Sequence, residues 1–141
     1  MNILEALQNL NYIAIASAAV ASYVLGFTWY HWAVFGEAWA NALGLTKEEA
    51  ESTEGLGGAF AASLVSGLVK TLLLALLMSA LQLSGVLAGA ALGAALAVAF
   101  TGTSLAYYNG FARTSSTLTI VNAAHSLVEL ALIGAILGAF S

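Results

Sequence analysis

With 141 residues, 61% of them hydrophobic and 7% charged, the chain has too little polar surface to clothe a water-soluble domain, so lipid is the expected solvent. A net charge of -4, from three basic and seven acidic side chains, excludes the basic surface that nucleic acid requires. The absence of cysteine rules out disulfides, thiolate nucleophiles and zinc–thiolate sites, and the absence of proline removes the usual cause of a kinked membrane helix.

The first apolar stretch runs from about Tyr12 to Tyr30. Its "ASAAVAS" segment offers the small residues of a signal-peptide cleavage site, but "MNILEALQNLN" lacks a basic n-region, contains Glu5, and is followed by apolar sequence as far as Trp29. The segment therefore reads as a retained membrane helix. The loop that follows, residues 31–56, is the longest. In "WYHWAVFGEAWANALGL", Trp32, Phe35, Trp39 and Leu43 recur at helical spacing opposite Glu37 and Asn41. That pattern predicts an amphipathic helix lying in the bilayer interface, with Trp29 and Tyr30 as further aromatic anchors at headgroup depth. Beyond it, Thr46 stands three residues before Glu49, the spacing of a capping box, and Gly55, Gly57 and Gly58 interrupt the short helix so started.

The second apolar stretch, Gly57 to Ala80, carries Lys70 near its middle, with Ser63 and Ser66 on the same face. No residue from Thr71 to Ala112 is charged, a run long enough for two membrane helices of about 20 residues each. The short "LQLSG" makes the second and third stretches antiparallel neighbours. In the third, Val86 to Tyr108, a ridge of Gly85, Gly89, Gly93 and Ala97 offers close helix approach. Asn109-Gly110 is a turn signal leading into the fourth stretch, Thr117 to Phe140. Here Asn122, His125 and Glu129 share one side of the helix, while Gly134 and Gly138 point roughly 120 to 160 degrees away from Asn122. Both faces call for a protein neighbour, so the glycine ridges serve either packing within the chain or a homodimer seam.

These elements predict an all-α, integral-membrane four-helix bundle with a short interfacial helix between its first two crossings, the whole of residues 1–141 forming one membrane domain. Four crossings leave both termini on one side. Lys47 and Arg113 lie in the opposite loops, which the positive-inside rule assigns to the cytoplasm, placing the ends outside a cytoplasmic (inner) membrane.

An ionised group at mid-bilayer costs roughly 2.5–3.5 kcal/mol, so Lys70 and Glu129 each need a partner. Counted from the loop side they lie at nearly equal depth, about 13 and about 12 residues into their helices at 1.5 Å per residue. The expectation is a buried Lys70–Glu129 ion pair, with His125 one turn nearer the loops. Ser66 lies on the lysine side, and Asn122, Ser126, Thr101, Ser104 and Tyr107 extend a polar half-channel toward the loop surface. Such a pair either fixes helix register or forms part of a transport path. His125 and Glu129 at i,i+4 also have the spacing of two metal ligands, but the other crossings supply no buried acid, so no metal is expected. No phosphate loop, nucleophile elbow or Ser-His-Asp set is present, and there is no aspartate. The sequence offers no complete catalytic set, and no cofactor is expected.

In Gly26, Trp29, Tyr30, Phe35, Gly36 and Trp39, in Asn122 with His125, and in the ending "IGAILG", the chain resembles the bacterial small integral-membrane protein family catalogued as domain of unknown function seventeen-sixty-one. The likeness spans essentially the whole chain in order and spacing. His31-Trp32 stands where that family tends to have a Ser-Pro step, and Glu37 where it tends to have a basic residue. Loop geometry and any anion site there therefore do not carry over. The resemblance implies four-helix membrane architecture and carries no mechanism. Three functional readings stay open: a structural or accessory subunit that binds itself or a larger membrane complex; a small-solute or proton-coupled transporter using Lys70, His125 and Glu129; and an intramembrane enzyme, for which the sequence offers no complete catalytic set.

Overall fold

Four long helices dominate the computed structural model, which describes residues 2–141 and shows no strand among them. Each is long and apolar enough to cross a membrane: Tyr12–Trp29, Gly57–Ala80, Val86–Phe111 and Ser116–Ala139. The protein is an all-α membrane protein. A short helix α1 (Ile3–Gln8), with Asn2 as its N-cap, precedes the first crossing α2 (Tyr12–Trp29), whose N-cap Asn11 accepts bonds from the Ile13 and Ala14 amides. The two asparagines divide "MNILEALQNLN" into a separate turn of helix, which the apolar pattern alone does not reveal.

The aromatic loop is less regular than its spacing predicts. Trp32–Gly36 forms a π turn, and only then does helix α3 (Glu37–Leu43) begin. The Gly36 amide donates to the His31 carbonyl five residues back at 3.0 Å, and a Cβ on Gly36 would lie 2.5 Å from the Tyr30 carbonyl oxygen. The close turn therefore requires glycine. It also breaks the single helical face assumed for Trp32, Phe35, Trp39 and Leu43. Helix α3 packs on the last crossing rather than lying apart, with Ala40 fully buried. Helix α4 (Lys47–Glu51) has both halves of its capping box: the Thr46 amide donates to Glu49 at 2.8 Å, and the Glu49 amide donates to the Thr46 hydroxyl at 3.2 Å.

The second crossing is α5 (Gly57–Ala80). The third is made of α6 (Val86–Leu96), a π turn at Ala97–Gly102, and α7 (Thr103–Phe111). A proline-free helix is thus interrupted by a widened turn, and Thr103, the first residue after it, donates its hydroxyl back to the Ala99 carbonyl. Asn109 and Gly110 remain helical, so the predicted turn falls later, at Arg113, whose φ is +56°. Asn109 instead joins helices, its amide donating to the Thr119 hydroxyl at 2.9 Å.

The last crossing, α8 (Ser116–Ala139), is the hub, packed by α2, α3, α5, α6 and α7. Its most extensive partner is α6. A Cβ on Gly89 would overlap the Gly134 carbonyl, one on Gly93 the Leu130 carbonyl, and one on Gly138 the Gly85 carbonyl. The Gly85 amide donates directly to the Gly138 carbonyl at 3.1 Å. The glycine ridges of the third and fourth crossings therefore face one another within a single chain, as small residues do where burial from water no longer drives association. A second copy would have to use another surface.

Candidate functional site

Lys70 and Glu129 stand thirteen residues past the starts of α5 and α8, which both begin at the loop side of the bundle. Equal depth on parallel helices brings them together: Nζ lies 2.7 Å from Glu129 Oε2. The other carboxylate oxygen accepts from the Ser22 hydroxyl of α2 at 2.6 Å. Three crossings thus converge on one carboxylate. Glu129 is 5% exposed and Ser22 2%, whereas the Lys70 side chain is 35% exposed. With one ammonium and one hydroxyl donor, both oxygens of the acid are hydrogen-bonded, the condition for holding a charge in a medium without water. Ser22 sits in the run "ASAAVASYV", where nothing in the sequence distinguishes it from its small neighbours; its only signal is antiparallel placement near the same depth.

The residues expected around this pair divide into two groups. Ser66 and Ser63 are exposed on α5 and take no part in the cluster; Ser22 occupies the place foreseen for Ser66. His125 and Asn122 belong to an aromatic group one to two turns nearer the loops. The His125 ring meets Trp29 edge-on at 5.8 Å and Tyr30 at 5.2 Å between centroids, and the Tyr30 hydroxyl donates to Asn122 Oδ1 at 2.7 Å. Trp29 donates from its indole to the Val121 carbonyl at 3.2 Å and stacks on Phe35 at 4.4 Å, while Trp39 lies edge-on to Tyr30 at 5.9 Å. Gly26 faces His125 Nε2, which a Cβ there would meet at 3.8 Å. That Nε2 atom is buried and has no hydrogen-bond partner among the described residues.

Trp29, Tyr30, Phe35 and Trp39 are therefore packed on the loop end of α8 as well as lying at the end of a crossing. Trp32 is apart from them, partly exposed beneath the Lys47 ammonium at 5.6 Å. Tyr107 is half exposed, with the Tyr108 ring beside it at 4.1 Å. Thr101, Ser104 and Ser126 are partly buried but add no hydrogen bond to it.

Two hollows of the bundle open away from this cluster. An open apolar groove of about 780 Å³ runs along α2 from Ala16 to Thr28, touched by Leu132 of α8. A smaller hollow of about 280 Å³ opens at the opposite end of the bundle, between Asn9, Asn11, Ser79 and Ser141. Neither is lined by Lys70, His125 or Glu129. The described residues contain no group of three or more metal-ligating side chains. What the cluster can do chemically is tie three helices through one carboxylate.

No curated protein and no solved structure matches the chain. The residues that gather around His125 and Tyr30 come from both ends of the sequence, and the span between them is shared with a recognised group. Residues 13–138 match the family described as "Protein of unknown function (DUF1761)", and the chain belongs to that family.

Proposed function

We propose that the protein is a structural or accessory membrane subunit that assembles with itself or with a larger membrane complex, and that its ionic cluster sets the packing of α2, α5 and α8. The observation that carries this reading is the engagement of both Glu129 oxygens within the chain, one by Ser22 and the other by Lys70. A buried ion pair contributes little net stability over an apolar replacement, but it strongly disfavours registers that leave one charge alone. The loops bearing Lys47 and Arg113 are assigned to the cytoplasmic side of an inner membrane by the positive-inside rule.

The test is native mass spectrometry of protein released in gentle detergent. The reading predicts a species heavier than one chain, either a multiple of this chain or a complex with a defined partner. A strictly single chain that supports pH-dependent flux in liposomes, abolished by Glu129→Gln, contradicts it and establishes the alternative, a small proton-coupled transporter. One observation favours that alternative: His125 Nε2 is buried with no hydrogen-bond partner among the described residues, one helical turn from Glu129.

A further inference from the structure

The third crossing holds α8 differently along its two halves. The first half, α6, buries Gly89 and Gly93 in the backbone seam, and the buried ridge continues to Ala97. The second half, α7, buries no residue; among the described residues its one side-chain hydrogen bond to α8 runs from the Asn109 amide to the Thr119 hydroxyl, at 2.9 Å. Between the halves lies the π turn, Ala97–Gly102, with Val98 and Phe100 exposed on its outer side. An unbroken α-helix turns about 100° per residue and would carry Asn109 roughly 160° round from Gly93, onto the face turned away from α8. Both residues nevertheless meet α8. A π turn takes up one residue more than an α turn, which reduces the difference to about 60° and keeps the two on one side of the helix.

The hydrogen bonds show where the surplus residue sits. The Thr103 amide donates to the carbonyls of Val98 and Phe100 and skips Ala99, its partner in a regular helix. The Ala99 carbonyl accepts the Thr103 hydroxyl at 2.7 Å instead. Hydrocarbon offers that carbonyl no other donor, so the hydroxyl stands in for the displaced amide. Thr28 and Thr71 bond back to carbonyls in the same way inside uninterrupted α-helices. The skipped amide, and not the hydroxyl alone, is therefore what distinguishes Thr103.

We propose that Ala97–Gly102 is a phase-setting joint: it stores one surplus residue, and so lets α7 turn its Asn109 face toward α8 while α6 stays locked in the glycine seam. The two halves place different demands on the helix. Carbonyl-to-glycine contact fixes the rotation of α6, since a Cβ at Gly89 or Gly93 would overlap the α8 backbone. The bond from Asn109 to Thr119 fixes the rotation of α7 at the loop end of the bundle. A single straight helix satisfies one demand or the other, and the joint satisfies both.

Removing and adding one residue at the same place tells a joint from an ordinary stretch of helix, and thermal unfolding of the full chain in detergent reads both. Deletion of Phe100 leaves Thr103 four residues after Val98, so the bond its amide already makes becomes a regular helical one. The unfolding midpoint should stay within about 3 °C of the intact chain. One alanine added after Phe100 turns α7 roughly 100° further round, and deletion of the exposed Ala91 breaks the spacing of Gly89 and Gly93. Each of these should lower the midpoint by about 10 °C or more. Asn109→Ala then reports the phase of α7: the drop it causes in the intact chain should recur undiminished in the chain lacking Phe100. Equal effects of deletion and insertion at Phe100, or a loss there as large as at Ala91, overturn the proposal. So does a tolerated deletion in which Asn109→Ala no longer lowers the midpoint.

Discussion

Helix α8 meets its neighbours in two ways. Toward α6 it presents Gly134 and Gly138 and forms a seam of backbone against backbone, where no side chain fits. Toward α2 and α5 it presents Glu129, and contact is made through a serine hydroxyl and a lysine ammonium. Both solutions answer the same problem, that lipid gives helices no hydrophobic reason to associate. The glycine seam gains dispersion contacts by proximity and tolerates no added atom. The polar cluster gains charge-assisted hydrogen bonds and tolerates no lost partner. One interface is steric and the other electrostatic, and they should fail differently under substitution.

The largest effect is expected at the seam. Gly93→Leu or Gly134→Leu forces branched side chains into the facing carbonyl and should cost more than about 3 kcal/mol, beyond ordinary overpacking; thermal unfolding in detergent measures it. A loss below about 1 kcal/mol would show that the helices can part freely and that the seam is not steric. Next is Glu129→Ala, which leaves the Lys70 ammonium and the Ser22 hydroxyl without their acceptor and should cost about 3 to 5 kcal/mol. Ser22→Ala removes one hydrogen bond to a charged group and should cost about 1.5 to 3 kcal/mol by the same measurement. If Ser22→Ala instead equals Glu129→Ala, the hydroxyl rather than the ammonium sustains the cluster.

The smallest effect lies outside the membrane. The Thr46 amide and hydroxyl hold the Glu49 carboxyl below its ordinary value. A carboxyl depressed by folding stabilises α4 above the unfolded value, about 4.3, and that contribution is lost as pH falls through the lower folded value. The protection factors of the Lys47–Glu51 amides should therefore fall in that acid window, and Thr46→Ala, which removes the hydroxyl but keeps the backbone N–H that donates to Glu49, should weaken that pH dependence without abolishing it.

The electrostatic interface was half legible in the sequence and the steric one more than half. Two charges at equal depth in parallel crossings, Lys70 and Glu129, are conspicuous because nothing else in those helices is charged. Ser22 is not, because a serine among alanines carries no signal until the antiparallel α2 is placed against α8. Ser66 shares a face with Lys70, but the lysine reaches around the helix to its acid and leaves that serine outside. The glycine spacing of α6 and α8 announces close packing and does not say which helix supplies the other half. The π turns at Trp32–Gly36 and Ala97–Gly102 escaped, since helical periodicity presumes an unbroken 3.6-residue turn. Asn109-Gly110, a turn signal in isolation, stays helical where Asn109 gains a partner in Thr119.

The central claim is that Lys70 and Glu129 act as one unit joining crossings. A double-mutant cycle of Lys70→Met and Glu129→Gln, read as unfolding free energy in detergent or lipid, tests it most directly. Each single change strands a polar group, whereas the pair of changes removes both charges together. The predicted result is a double mutant more stable than the sum of the singles implies, by at least about 1 kcal/mol of coupling. Strict additivity would contradict it and show two charges that merely lie close.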